Sequence, residues 1–168
     1  MGYRTAALML LAGATAGLAG ACAPEDVSIA AGDPLPSVLE RDRHTTGGPA
    51  PPATIIWAVT TEDCLSCLTF PTHLRHLRHR YRDRVEIVVV HVGHAPDTAY
   101  VKALLKRERI PATVMSLTNR EFRDAFGSPT LPRWYLAAND RFAAVQPPPN
   151  DQPEEAPLFE ALARLLEP

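Results

Sequence analysis

Two periods of hydrophobic spacing run along this chain, and the switches between them mark out its elements. Residues 53–59, "ATIIWAV", are an uncharged, β-branched run that predicts a buried strand. "TTED" then supplies N-cap and first-turn residues for a helix. From Cys64 the period becomes helical, with Leu68, Leu74, Leu77 and Tyr81 on one side and Arg75, Arg78 and Arg82 on the other. Pro71 lies inside this helix and is expected to kink it. A second buried strand is predicted over 85–93, "VEIVVVHVG", and a helix over 97–109 that Pro111 stops. A third strand follows at 112–117 and a short helix at 120–126, ending at Gly127. "PRWYLAA", 132–138, reads as a strand, "NDR" as a turn, and "FAAVQ" as its hairpin partner. After the Pro-rich "PPPNDQP", a last helix is predicted in "APLFEALARLLE". Strands alternating with helices, then a late hairpin and a terminal helix, predict an α/β fold with a central mixed sheet flanked by helices. No internal repeat is present.

Upstream of this pattern the chain changes character. Arg4 is followed by an uncharged stretch of 17 residues, Thr5 to Ala21, rich in Ala and Gly. That is short and weak for a membrane span, but suits a secretory signal with small residues before the cut. "AGAC", residues 19–22, resembles the lipobox of bacterial lipoproteins, in which the cysteine, here Cys22, is lipidated. Ala19 stands where Leu is commonest in that motif, and plain cleavage after "AGA" or "ACA" is the alternative. The expected organisation is a signal over 1–21, a tether over 22–31 and a domain over 32–168. The segment 32–47 reads either as more tether or as a short strand and turn, and we favour the second. The expected location is the cell envelope or periplasm, with a lipid anchor at Cys22.

Composition narrows the function classes. A net charge of −2 and a pI near 6.3 argue against a general binder of nucleic acid or of membrane surfaces. Charge is uneven, however: residues 73–84 hold five arginines against one acid, and 151–167 hold five acids against one arginine. Both runs read as solvated helix faces. Six of the 17 prolines fall between Pro24 and Pro52, which suits a tether or irregular loops ahead of the domain.

Three cysteines in an exported chain are odd in number, but lipid on Cys22 would leave only Cys64 and Cys67, in "EDCLSCLTF". A two-residue gap closes too small a loop to constrain the unfolded chain, so stability is a poor reason for this pair. Structural zinc would need a second ligand pair. Thiol–disulfide exchange needs an exposed, stabilised thiolate, and the start of a helix provides one through its free N–H groups and positive dipole end. On that reading Cys64 attacks and Cys67, one turn inward, resolves. Glu62 and Asp63 oppose thiolate formation, whereas the arginine-rich helix favours it at longer range.

A buried strand, a CxxC at the mouth of a proline-containing helix, and a later proline opening an aromatic strand resemble the thioredoxin fold. The extra strand–helix unit between the CxxC helix and that proline is similar to the exported redoxins of the cytochrome-c-maturation and peroxiredoxin-like group. The resemblance covers roughly residues 30–167. It implies a redox-active Cys64–Cys67 disulfide, and a cis-proline whose preceding backbone pairs with the incoming substrate chain. In "GSPTLPRWYL" Pro132 matches that proline, with Pro129 the weaker match. It also implies partners that are protein thiols and disulfides of the cell envelope, with a membrane electron donor as a further candidate, and no cofactor. Asp63 replaces the family's usual aromatic before the first cysteine, and neither buried strand carries the family's buried acid or its lysine partner at the matching place. The helix proline falls four residues after Cys67, one fewer than usual.

Other constellations are weaker. His73, His76 and His79 fall at i, i+3 and i+6, so the outer pair diverge around the helix and a solvated basic face is the better reading. "TxxC", Thr61 to Cys64, resembles part of the peroxiredoxin signature, but Trp57 stands where its proline belongs. Trp57, Trp134 and Tyr135 read as core or groove aromatics. The expected function is a thiol–disulfide oxidoreductase. The alternatives are a redox-silent binding module on the same scaffold, or a peroxide reductase acting through Cys64.

Overall fold

The structure, a computed structural model, describes residues 29–39, 51–60, 66–127, 129–146 and 157–167. Five strands form one sheet: β1 (Ala53–Val59), β2 (Val85–Val92), β3 (Thr113–Leu117), β4 (Arg133–Ala138) and β5 (Arg141–Gln146), in the order β3-β2-β1-β4-β5. β1, β2 and β3 run parallel, while β4 is antiparallel to β1 and β5 antiparallel to β4. Every residue of β1 is buried, which explains why its sequence shows no polar alternation: the central strand is covered on both faces.

Among the described residues, the cover comes mainly from α1 (Ser66–Tyr81), α2 (Ala95–Arg107), α3 (Asn119–Phe126) and α4 (Pro157–Leu166). On one face Ile55, Trp57 and Val89 pack beneath Leu74 and Leu77 of α1, Val101 of α2 and Leu162 of α4. On the other, Ile56, Val90 and Tyr135 pack against Phe122 and Phe126 of α3, with Leu35 and Leu39 from the segment before β1. α1 and α2 share a face because both follow parallel crossovers that step the same way across the sheet, and such crossovers keep one hand. The chain runs β2–α2–β3–α3 between α1 and Pro132, two strand–helix units that include the extra one expected there.

Local chemistry sets the element ends. α2 begins two residues earlier than the spacing predicts, because Pro96 suits a first turn, where its missing N–H is not needed. It ends at Arg107, and Arg109 turns the chain with φ 54° ahead of Pro111. Thr118 and Glu121 form a reciprocal capping box at α3, and Gly127, with φ 76°, ends it. Asn139 and Asp140 both take positive φ, 51° and 57°, as a tight β4–β5 hairpin requires. Between 29 and 39 the chain turns at Gly32, makes a single bridge from Pro34 to Arg141, and is helical over 37–39. The signal segment, Cys22, residues 40–50 and most of "PPPNDQP" lie outside the described residues.

The two charge runs meet. Arg80 of α1 pairs with Glu167 at 3.1 Å, and Arg84 donates to the Leu166 carbonyl at the end of α4. Both side chains of the ion pair are about half exposed, so the pair contributes little stability.

Candidate functional site

The C-terminal ends of β1, β2 and β3 lie at one edge of the sheet. β1 leads through Thr60 and residues 61–65, Cys64 among them, into α1; these five lie outside the described residues. Cys67 is the second residue of α1, so its backbone stands in the first helical turn. Pro71, inside α1, has no N–H to offer, and the carbonyl it would have satisfied four residues earlier is that of Cys67. No acid lies in the first turn of α1, whereas Arg78, His79 and Arg80 occupy its last, where cations complement the negative end of the helix dipole.

Pro132 reaches the same edge from the opposite direction. In the antiparallel β1–β4 register Arg133 is opposite Ala58, which puts Pro132 level with the last residue of β1. The proline is buried and the Leu131–Pro132 peptide is cis. Two residues along, Trp134 lies opposite Trp57, and their rings stack at 4.9 Å and 7° beneath the helices of the α1 face. Tyr135 turns to the other face, against Phe126 and Phe142. Burial pushes its phenol up to about 12, opposed by the nearby Arg133. These three aromatics belong to the core.

A cleft of about 320 Å³ opens at this edge, lined by Thr60 after β1, Gly93 and His94 after β2, Asp97 of α2, and Thr118 and Arg120 after β3. Just inside it is a residue that the strand pattern alone passed over. His91 in β2 is fully buried, lies opposite Val59 in the parallel register, and shares that residue's face of the sheet. Its Nδ1 is 2.9 Å from Thr98 Oγ1, and Thr98 Oγ1 donates to Ser116 Oγ at 3.0 Å. Burial holds the imidazole below its ordinary pKa, with the Asp97 carboxylate acting in the opposite direction. The available signal was a lone titratable side chain in the otherwise apolar half of "VEIVVVHVG".

The three histidines of α1 do not converge. His73 is half-buried, with its pKa lowered by burial and by His76, whereas His76 meets the Phe159 ring edge-on and His79 is exposed. Among the described residues no group of three His, Cys, Asp or Glu is arranged to hold a metal ion, and no helix is long and apolar enough to cross a membrane.

No protein-family model and no curated protein matches the chain. Solved structures do. An uncharacterized thioredoxin-like protein from Porphyromonas gingivalis is 18% identical with a TM-score of 0.58, over 71% of this chain and 78% of that one. A putative thiol:disulfide interchange protein DsbE from Chlorobium tepidum is 16% identical with a TM-score of 0.57, over 82% of this chain and 99% of that one. A secreted Mycobacterium tuberculosis disulfide oxidoreductase, homologous to E. coli DsbE, is 13% identical with a TM-score of 0.52, over 67% and 81%. The chain thus shares the thioredoxin-like fold of these structures, at identities of 13–18%.

Proposed function

We propose that the chain is an extracytoplasmic thiol–disulfide oxidoreductase, exchanging the Cys64–Cys67 dithiol and disulfide with protein thiols of the cell envelope from a lipid anchor at Cys22. The observation that carries this reading is the arrangement at the sheet edge: Cys67 in the first turn of α1, and Pro132 level with the end of the strand that feeds that helix. Similarity in fold to a thiol:disulfide interchange protein and a secreted disulfide oxidoreductase supports it.

In this mechanism Cys64, ahead of a helix N-terminus, is the thiolate that attacks the partner's disulfide. A thiol of ordinary pKa is only a few per cent ionised at neutral pH, so even a modest lowering by the helix end multiplies the reactive form. Cys67 then attacks the mixed disulfide and releases the partner. The backbone entering Pro132 lines the groove for the partner chain, where a residue without an N–H leaves its neighbour's peptide free to pair with that chain. Insulin reduction by the purified protein with a dithiol donor tests the reading. Turnover by the wild type, and its loss in Cys64→Ser, are expected. A pair that never changes state under graded reductant would instead leave a redox-silent scaffold.

A further inference from the structure

Arg133 is an exception among the arginines. Most of the others pair with carboxylates, as Arg75, Arg78 and Arg80 do, or donate to backbone carbonyls, as Arg84 and Arg141 do. The guanidinium groups of Arg82, Arg109 and Arg123 have no such partner among the described residues, but these side chains are exposed and water solvates them. Arg133 has no hydrogen bond or ion pair there either, yet it is only partly exposed and its Nε is buried.

Its place in the fold adds to this. Arg133 opens β4 directly after Pro132 and lies opposite Ala58, near the end of β1. Ala58 and Tyr135 both belong to the α3 side of the sheet, so strand alternation starts the Arg133 side chain on that side. Opposite residues of an antiparallel pair have Cβ atoms about 4.5–5.5 Å apart, and the small Ala58 leaves room for the arginine stem. No acid of the described residues on that side is free to pair with it. Glu121 of α3 bonds to Thr118, and Asp124 pairs with Arg120 on the same helix. Asp33 accepts from the Ala30 N–H, and Glu86 of β2 stands at the other end of the sheet beside Thr54. Tyr135 is ionisable, but burial raises its phenol to about 12, so at neutral pH it brings no negative charge.

A partly buried cation loses hydration, and without a counter-ion nothing within the fold compensates that loss. An unpartnered Nε–H beside the Nη–H groups is also the edge of a guanidinium that takes a carboxylate through two parallel hydrogen bonds. We propose that Arg133 is a specificity-determining residue that binds a carboxylate of the partner protein, an Asp or Glu side chain close to the partner's reactive cysteine. This rests on the oxidoreductase reading above, in which the partner chain passes the backbone entering Pro132. An extended chain advances ~3.3 Å per residue, so the carboxylate lies within about two residues of the position that faces Pro132. Partners with Asp or Glu there are preferred over partners with neutral or basic residues.

The test mixes the full chain in its dithiol form with two synthetic peptides, each carrying one cysteine as a mixed disulfide with a chromogenic aromatic thiol. They differ only in Glu or Gln beside that cysteine, and release of the coloured thiolate gives the rate of exchange. The Glu-to-Gln rate ratio is compared between wild type and Arg133→Gln, which cancels the acid's own effect on the peptide sulfur. The ratio is expected to be about tenfold higher in the wild type, the low end for hydrogen bonds to charged groups, and to shrink as salt is raised. Arg133→Lys, which keeps the charge but not the fork, retains part of the difference. Equal ratios in wild type and Arg133→Gln, including an equal slowing of both peptides, overturn the proposal. Should Arg133→Gln fail to fold, NMR of the wild type decides: a cysteine-free Glu peptide shifts the Arg133 Nε–H signal and its Gln twin does not. The same response to both overturns the proposal. No colour from either peptide in the wild type sinks the oxidoreductase reading instead, and the NMR titration then decides Arg133 by itself.

Discussion

The two faces of the sheet are built on different principles. The α3 face is closed by aromatic packing: Phe126 stacks on Phe122 at 4.8 Å and meets Tyr135 and Phe142 at 5.3 and 6.3 Å. The face under α1, α2 and α4 has a comparable apolar centre around Trp57 and Trp134, but its cleft end holds the imidazole–hydroxyl chain of His91, Thr98 and Ser116. A buried imidazole whose Nε2 has no partner among the described residues costs stability that an apolar side chain would have contributed. Packing dictates the centre of the first face, whereas the second gives up some packing at the edge where the candidate site lies.

Truncation separates the faces most strongly. Phe126→Ala, at 1% exposure in a cluster of three other rings, is expected to lower unfolding free energy by about 3–5 kcal/mol in urea denaturation. It should leave thiol exchange at Cys64 intact. A variant that lost exchange while still folded would show that the aromatic cluster also shapes the site.

pH is expected to divide the faces next. His91 and His73 have folded pKa values below the ordinary ~6.5, so between the folded values and ~6.5 the unfolded chain binds more protons. Stability should therefore be full above ~6.5 and fall as pH drops through that window. His91→Gln should flatten part of this acid limb in urea midpoints measured at several pH values. On the α3 face Tyr135 is raised to about 12, so stability should fall as pH rises beyond the ordinary tyrosine value of ~10. Tyr81, also raised by burial, adds to that alkaline limb from the other face. Tyr135→Phe should weaken the limb and cost little at neutral pH, because the hydroxyl has no partner among the described residues.

The smallest expected effect concerns the start of α3. Thr118→Ala removes the hydroxyl that accepts from the Glu121 N–H and should cost about 1 kcal/mol. Thr118 also lines the cleft, so an effect on exchange larger than on stability would place α3's start in partner binding.

Much of this molecule was legible in the chain. "ATIIWAV" is buried along its whole length, and its uniform hydrophobicity says so without tertiary information. "NDR" and Gly127 read correctly as a hairpin turn and a helix stop because positive φ favours those residue types. The spacing of Cys64, Cys67 and Pro132 suggested the chemistry, and strand register brings the end of β1 and Pro132 to one edge.

His91 was not legible. In "VEIVVVHVG" it is one polar letter at the end of an apolar run, and nothing local separates it from a strand-end residue facing solvent. Its burial depends on α2 folding back over β2, and its hydrogen bonding on hydroxyls 7 and 25 residues further along the chain. Periods, caps and turn residues act over a few positions, so the sequence alone determined the order and kind of elements and pointed to Cys64 and Cys67 as the candidate thiol pair. Which residues meet across the sheet, and which face carries buried polar side chains at the cleft end, are sums over distant contacts, and only the tertiary structure decided them.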